Sequence, residues 1–519
     1  MTLNALSLRV LNYVQNRKTF SLQKSEQRFG KSSSTIKRTI AQINEFLPEG
    51  KRLIIKNDTV KSTLSYDDKI AIIQRITFAE YHVNRQERIM LLIFASFFEG
   101  VVNMTKIYQK MELSETTKKQ DRKKIASFLE NQKLFVKTFP GMGIEITGAE
   151  AASRMFISST IAVLLECDSE NDFFQREANN PVEREMCNIF LRNAQAVLEE
   201  SKQRILAFLN QQHFRLDYAS KKLLLIYFSL SILRQQREKI ITEVELLSEI
   251  QLPKLRKFFT EPSENHYINL LIASLNYNVS WHFPHDKKIF DFTKALVHYV
   301  QRQIRTTIIC NKQLIEACYS YIYKCTIKNA LGYQFYDDKL DEVHIEYPHL
   351  IKTINIFMEQ QEENIEITLK NSQIGTLSLI FSSSILRNKV YKKTKKCIVI
   401  ITNSSSEKIE FFTEQLKKYV DFELVEYLTI NELFHLSELT YDAVITFSSR
   451  ITNMVKKQGI EAVQMPFYLE EIHAKVLIER GFSTNYRRKI TKEEMMQKLV
   501  NKSAKEIEQI LAEYPDHFI

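Results

Sequence analysis

The sequence predicts a mainly α-helical, multidomain protein with a small α/β domain at its C-terminal end. The chain has 519 residues, more than one hydrophobic core usually holds, so several domains are expected. Glycine and proline are scarce, with 10 and 9 in the chain, which favours helices joined by short connections. Helix-period apolar patterns fill most of the chain, and strand and helix patterns alternate only after residue 396.

The net charge of +10 lies entirely at one end of the chain. Residues 1–150 contain 25 Lys+Arg and 15 Asp+Glu, which gives +10, whereas residues 151–519 contain 47 of each. A basic end on a neutral body is typical of a nucleic-acid-binding module attached to other domains. A merely soluble basic surface is the alternative explanation of the charge alone.

Several classes of protein are disfavoured. The chain has no run of about 18 uncharged apolar residues and no signal-peptide pattern at its start, so we expect no membrane partner. Six scattered cysteines without a C-x-x-C pair predict reduced thiols and a cytoplasmic location. Phosphate-loop, dinucleotide and nucleophile-elbow motifs are missing, so we expect no enzyme, no cofactor and no metal site.

Residues 1–62 predict a first helix-turn-helix unit. A short helix over 22–29 precedes a Gly30-Lys31 turn, and three serines then offer N-caps for a helix over 35–46. Residues 53–60 fit a wing. The expected DNA contacts are Ser33, Ser34, Thr35, Lys37 and Arg38. Such charges also solvate many ordinary helix faces, which is the alternative for this unit.

Residues 63–150 predict a second, winged helix-turn-helix unit. Two helices over 67–98 lead into a short helix around Tyr108, and Ser114 caps a basic helix that buries Ile125 and Leu129. A hairpin turn over 140–143 follows. In this order of elements the second helix enters the DNA major groove.

The basic helix supplies the second set of expected DNA contacts. Thr116, Thr117 and Gln120 lie near its N-terminus and are best placed to reach base edges. Its cations are expected to contact phosphates or bases, and they are Lys118, Lys119, Arg122, Lys123 and Lys124.

The rest of the chain predicts two helical domains and one α/β domain. Amphipathic segments, among them 153–167 and 255–259, follow one another in an order that repeats, which suggests tandem domains at 151–277 and 278–390. A basic stretch over 391–396 precedes strand patterns near 397–402, 422–427 and 443–447, with helical patterns between them. A parallel α/β domain with a helical tail over 490–514 is therefore expected at 391–519.

This succession of units resembles the Mga/AtxA family of virulence-type transcriptional regulators from Gram-positive bacteria. The resemblance is most specific over 102–148, which is similar to that family's principal helix-turn-helix. It implies that the helical domains are phosphotransferase-system regulation domains (PRDs). It also implies an enzyme IIB-like C-terminal domain that takes part in self-association, so a homodimer is expected.

The resemblance implies phosphorylatable histidines in such regulation domains, but the matching positions lack them. These positions hold Tyr227, Leu271, Ala317 and Ile380. His213 and His266 are left as candidate alternative phosphoacceptors, with the sugar phosphotransferase phosphocarrier protein as the possible partner. Solvated or capping histidines are the alternative. Cys397 begins the first strand pattern of the IIB-like domain instead of ending it, so we expect its thiol to be buried and inert.

The resemblance implies a transcriptional regulator that binds double-stranded promoter DNA. Because the usual histidines are missing, we expect its regulation by phosphorylation to be lost or altered. An RNA-binding antiterminator is the alternative, because such proteins also join two regulation domains to an N-terminal binder. Their binder is short and rich in strands, whereas residues 1–150 predict mainly helices.

Overall fold

A computed structural model of the protein describes residues 2–130, 134–242, 247, 250–253, 255, 257–278, 284–304, 311–335, 340, 343–361, 367–387, 396–480, 482–484 and 499. Helices predominate in these residues and a small parallel sheet lies near the C-terminal end, so the predicted fold class is confirmed. The predicted basic stretch over 391–396 and the predicted tail helix over 490–514 lie outside the described residues, apart from Lys396 and Leu499.

Residues 5–61 form three helices and a three-stranded antiparallel sheet. The elements are α1 (Ala5–Arg17), β1 (Thr19–Ser21), α2 (Leu22–Phe29), α3 (Ser33–Phe46), β2 (Ile54–Lys56) and β3 (Thr59–Lys61). The sheet order is β1-β3-β2, so the predicted wing gains a third strand that is too short to show as a sequence pattern. Polar N-caps at Asn4, Ser21 and Ser32 begin the three helices. A 3₁₀ turn, Glu49–Lys51, joins α3 to the wing.

Residues 66–148 form four helices and a hairpin. They are α4 (Tyr66–Arg75), α5 (Arg85–Glu99), α6 (Met104–Lys110), α7 (Glu115–Glu130), β4 (Leu134–Phe139) and β5 (Gly143–Gly148). Every residue of α5 from Leu91 to Phe98 is buried, which makes this helix the centre of the unit. Val102 and Ile144 exchange backbone hydrogen bonds of 2.8 and 3.0 Å, so the hairpin is fastened to the loop that precedes α6.

In its described residues, the body of the protein is helical apart from one short hairpin. Its elements are α8 (Glu150–Leu164), β6 (Leu165–Cys167), β7 (Phe173–Gln175), α9 (Pro181–Gln211), α10 (Tyr218–Gln235), α11 (Pro262–Ser274), α12 (Lys287–Ile304), α13 (Asn311–Leu331), α14 (Val343–Glu346), α15 (Pro348–Gln361) and α16 (Asn371–Arg387). Helix α10 packs between α8 and α9, and α13 packs against α11, α12 and α16. Within the described residues no helix is long and apolar enough to cross a membrane.

Two helix predictions in the body are wrong. The pattern over 153–167 stops being helical at Leu164, because the next three residues pair with β7 and the Cys167 amide donates to the Tyr218 hydroxyl at 2.8 Å. The described part of 255–259 is also not helical. Its aromatic rings pack against the core without a helix, since the half-buried Phe258 and Phe259 lie 5.4 and 5.1 Å from the ring of Phe228.

The C-terminal region is an α/β domain with a mostly parallel sheet. It contains β8 (Lys396–Ile401), α17 (Ser406–Leu416), β9 (Val420–Leu428), a 3₁₀ helix (Ile430–Glu438), β10 (Ala443–Thr446), α18 (Ser449–Lys457), β11 (Val463–Gln464), α19 (Glu471–Glu479) and β12 (Ser483–Thr484). The strand order is β11-β10-β8-β9-β12, and only β12 is antiparallel to its neighbour. The predicted parallel arrangement is confirmed.

The hairpin after α7 leaves no room for a side chain at Gly143. This residue has φ +150°, and a Cβ atom there would lie 2.0 Å from the Val102 carbonyl oxygen. We expect Gly143→Ala to break the exchange of hydrogen bonds with Val102 and to destabilise the hairpin by more than about 1 kcal/mol. Hydrogen exchange of the β4 and β5 amides measures this loss.

The control for this variant is Gly50→Ala, because a Cβ atom at Gly50 would meet nothing within 4 Å. It should leave exchange in the hairpin unchanged. Equal protection of the hairpin in both variants would contradict the steric argument.

Candidate nucleic-acid interface

Helix α7 presents one polar face to solvent. Three residues follow Thr116 at spacings of three, four and seven, and they therefore share one side of the helix with it: Lys119, Gln120 and Lys123. Of these four, all are exposed, and the exposed Arg122 and Lys124 flank them. The opposite side buries Asp121, Ile125 and Leu129. The predicted division of α7 into an apolar and a basic face is thus the one that the helix shows.

A buried carboxylate holds α7 in place. The Asp121 side chain is 1% exposed and accepts hydrogen bonds from Arg88 Nε at 2.5 Å and Arg88 Nη2 at 3.1 Å. Arg85 Nε donates to it at 2.8 Å, and the Tyr108 hydroxyl donates at 2.9 Å. These partners come from α5 and α6, so one side chain of α7 joins three of the four helices of the unit.

The partners of Asp121 also keep its carboxylate ionised. Burial by itself raises the pKa of Asp121, but the hydrogen bonds from Arg88, Arg85 and Tyr108 outweigh that effect, and the pKa is lowered overall. Asp121 is not among the residues predicted from the sequence. An acidic residue four positions before the buried Ile125, within a run of cations, was the signal that could have revealed it.

The first unit has the same local plan as the second. Ser32 caps α3 and Ser114 caps α7, 82 residues later (114 − 32), and each hydroxyl lies 3.0 Å from the threonine three residues on. The same offset relates the left-handed residues Gly30 (φ 60°) and Glu112 (φ 56°) in the two turns. It also relates Lys37 to Lys119, and both are exposed.

The remaining predicted contact residues of the first unit lie at the start of α3. Ser34, Lys37 and Arg38 are exposed on the face opposite Ile36 and Ile40. Ser33 and Thr35 are half-buried, and the Ser33 amide donates to the Glu26 carboxylate at 2.5 Å. Helix α3 therefore presents a shorter polar surface than α7.

Two of the predicted cations already have partners. Lys118 Nζ donates to Thr105 Oγ1 at 2.7 Å and lies 2.5 Å from the Glu115 carboxylate, with its side chain only 19% exposed. This lysine joins α7 to α6 on the inner side of the helix. Lys37 lies 3.5 Å from Asp58 in the wing, but both side chains remain largely exposed.

An ion-pair network fastens the second unit to the body. Arg234 of α10 donates to the Glu150 carboxylate at 2.8 and 2.7 Å and to the Phe97 carbonyl at 2.8 Å. Arg154, which is wholly buried, bonds Glu150 at 2.8 Å and Glu264 of α11 at 2.6 and 2.9 Å. The end of α5 is thereby held against α8, α10 and α11.

Comparison with known proteins agrees with this geometry. Residues 74–160 match the model of the Mga helix-turn-helix domain, and this range contains α5, α6, α7 and the β4–β5 hairpin. The chain carries a Mga helix-turn-helix domain. The probable licABCH operon regulator of Bacillus subtilis (strain 168) is 21% identical over 371 residues, which are 66% of this chain and 54% of that protein. The chain thus spans about half the length of the curated relative it matches.

These similarities support a Mga-family transcriptional regulator, and the resemblance inferred from the sequence is confirmed. The Mga helix-turn-helix domain includes every predicted contact residue of α7. The α3 residues lie outside the matched range.

The positions matched to phosphorylatable histidines lie inside the body. Tyr227, Leu271 and Ile380 are buried, and Ala317 packs against the core. Burial raises the pKa of Tyr227, and its hydroxyl has no hydrogen-bond partner among the described residues. None of these side chains is both exposed and nucleophilic.

The two alternative histidines occupy ordinary positions at helix ends and faces. His213 is exposed just after α9 with φ +54°, and its amide donates to the Asn210 carbonyl at 3.2 Å. His266 is half-buried on α11, with its ring edge-on to Tyr267 at 5.9 Å. The contacts of these two histidines described above, with Asn210 and Tyr267, do not involve another predicted site residue.

The expectation that Cys397 is buried is wrong. Strand β8 begins at Lys396, one residue earlier than expected. Its first two residues are half-buried because they form the amino end of the strand, before its four buried residues. The thiol nevertheless lies at the amino end of β8. The loop over 402–405, which leads into α17, is at the opposite end of that strand.

We expect Asp121→Asn to destabilise the Mga helix-turn-helix domain by on the order of 3 kcal/mol, because Arg88 would be left buried without its counter-charge. Hydrogen exchange of the α7 amides and the thermal melting of the full chain measure this change. The matched control is Asp58→Asn, which removes an exposed pair with Lys37 and should change stability by less than about 1 kcal/mol. Similar effects of the two variants would contradict a structural role for Asp121.

This contribution should depend on pH in a defined direction. Because the pKa of Asp121 is lowered in the folded state, its stabilisation is fully present above the unfolded value of about 3.9 and is lost as the pH falls through the folded value. The difference in melting temperature between wild type and Asp121→Asn should be constant from about pH 5 to pH 7 and shrink below about pH 4. A difference that widens on acidification would contradict the assignment.

Proposed function

We propose that the protein is a regulator that binds double-stranded promoter DNA, with α7 as its main recognition helix and α3 as an auxiliary one. The observation that carries the proposal is the outward face of α7 within a matched Mga helix-turn-helix domain. Thr116 and Gln120 on this face suit base edges, and Lys119, Arg122, Lys123 and Lys124 suit phosphates. Thr117 and Lys118 are less exposed than these residues, so we assign them a secondary part in DNA binding.

The test is binding to a promoter duplex recovered by genome-wide mapping of bound DNA. Lys119→Ala with Arg122→Ala removes two exposed cations and should weaken binding. The slope of log K against log salt should become shallower by about 2, because two fewer counterions are released. Fluorescence anisotropy across a salt series measures both quantities.

The control for this test is Arg192→Ala with Lys457→Ala. It also removes two cations, whose side chains are 68% and 65% exposed on α9 and α18. Affinity and salt slope should stay at their wild-type values. Equal losses in both double variants would show that general charge, and not the face of α7, governs binding.

The alternative function is that of an RNA-binding antiterminator. The described part of residues 1–150 is mainly helical, which favours a DNA-binding function over that of a strand-rich RNA-binding domain. The same anisotropy assay, with hairpin RNA as the competitor, separates the two. Displacement of the duplex at lower concentrations of RNA than of DNA would favour the antiterminator.

We further propose that the body is the self-association part and has lost the usual phosphoregulation. In this scheme residues 1–62 and 63–150 bind DNA, the PRD-like domains at 151–277 and 278–390 and the IIB-like domain at 391–519 associate, and the active form is a homodimer. The burial of Tyr227, Leu271 and Ile380 supports the loss of phosphotransfer at the usual positions. Sedimentation equilibrium of the full chain tests the dimer.

Regulation by phosphorylation has its own test. Incubation of the full chain with the phosphorylated phosphocarrier protein should transfer no phosphate to it. The control acceptor is a regulation domain that retains its histidines. Incorporation that disappears in His213→Ala or His266→Ala would contradict the proposed loss and identify the acceptor.

A further inference from the structure

A large cavity lies where the DNA-binding end of the chain meets the body. Its volume is about 610 Å³, within the range of small-molecule sites. Helices α1 and α4 form one side of it, α8 and α10 another, and the loop over 402–404 with the start of α18 a third. A molecule bound in this cavity would therefore touch several units at once.

The wall of this cavity carries an excess of positive charge. Six cationic side chains line it against three carboxylates, Glu87, Glu166 and Glu183. Glu87 and Glu183 are each used in the capping box of their own helix. The six cations are Arg9, Arg28, Lys69, Arg176, Lys222 and Arg450.

Three of these cations lie within 4 Å of one carboxylate. Glu166 pairs with Arg450 and lies 3.8 Å from Arg176 and 3.7 Å from Lys222. Lys69 is 4% exposed, and within the described ranges its partners are the Asn12 amide oxygen at 3.0 Å and the ring of Tyr66, not a carboxylate. Glu166 is thus shared among three cations, and Lys69 has no carboxylate within ion-pair distance in the described residues.

The energetic consequence is an uncompensated buried charge. Burial, with the nearby charges of Arg176 and Arg450, lowers the pKa of Lys69 to about 7. Burial and the charge of Arg176 likewise lower the pKa of Lys222 to about 7. A buried cation without a full counter-charge is costly, and a bound anion would relieve this cost.

Neutral polar groups on the same wall are also unpaired. Both the Nδ2 and the Oδ1 atom of Asn403 are shielded from solvent and have no hydrogen-bond partner among the described residues. Asn403 lines the cavity with its neighbours Thr402 and Ser404, and Tyr13 and Phe447 are among the aromatic residues that line it too. Hydrogen-bonding and aromatic groups beside cations suit a ligand with both an anionic group and a polar organic part.

We propose that this cavity is a binding site for a phosphate-bearing small molecule, held by Lys69, Arg176 and Arg450 through its phosphate group and by Asn403 through its polar remainder. The ligand would bridge α4, which leads into the Mga helix-turn-helix domain, and α18 of the C-terminal domain. The proposal does not depend on the assigned DNA contacts, because its tests need no DNA.

The first test is ligand-dependent stabilisation of the full chain. Inorganic phosphate and glucose 6-phosphate are the probes, and glucose and sodium chloride at matched ionic strength are the comparisons. We expect at least one phosphate probe to raise the melting temperature and to give a saturable calorimetric isotherm. A response to glucose 6-phosphate alone assigns an organic phosphate, and a response to inorganic phosphate assigns the free ion. No response to either, or an equal response to sodium chloride, would overturn the proposal.

Two variants tie such binding to the cavity. Lys69→Met should weaken phosphate binding by about tenfold or more, since it removes a charge-assisted hydrogen bond. The matched control is Lys456→Met, which removes an exposed lysine from α18 outside the cavity and should bind like wild type. Equal affinities of the two variants would contradict the site.

A third variant tests the charge balance without any loss of packing. Asn403→Asp places a carboxylate of similar size on the wall of the cavity. We expect it to raise the melting temperature of the unliganded chain and to abolish the response to phosphate, because the new charge replaces the anion. A lower melting temperature together with an intact phosphate response would contradict the proposal.

Discussion

The Asp121 carboxylate is the interaction on which the exposed face of α7 depends. A helix with five cations between residues 118 and 124 gains little from its own surface, since like charges repel one another. Its stability must come from its buried side, where Asp121 is bonded to Arg88 and Tyr108. The carboxylate also fixes the rotation of the helix, because only one rotation turns Asp121 inward and Lys119 outward. An exposed basic face and a fixed helix are thus two results of one buried charge.

Buried ion pairs also join other units of the chain. Glu150 and Arg234 fix the end of α5 to the body, and Arg154 joins the same network to α11. Lys324 of α13 pairs with Glu407 of α17 at 3.0 Å. Burial alone would raise the pKa of Glu407, but the charge of Lys324 and local hydrogen bonds lower it to about 2. These junctions between neighbouring units contain paired charges, so their orientation is specified by directional bonds as well as by apolar packing.

The positions that we matched to phosphorylatable histidines hold residues that pack in the interior of the body. Tyr227, one of them, is buried near the Arg154–Glu264 pair, so this part of α10 serves packing. The cavity beneath α1 and α4 offers a different way to sense a metabolite, through a bound anion instead of a covalent phosphoryl group. In either case a signal would act on the interface between the body and the DNA-binding end.

The sequence by itself determined the local elements of this protein, and the tertiary structure decided their environments. Caps such as Ser32 and Ser114, the apolar spacing of α7 and the hairpin turn at 140–143 could be read directly, because these signals act within a few residues. Sequence could not show that Lys118 points inward, that Asp121 is buried, or that Cys397 is half-buried. It also could not pair Glu150 with Arg234, which are 84 residues apart. Such pairings and burial depend on which helices pack together, and the local periodicity of one helix does not specify its packing partners.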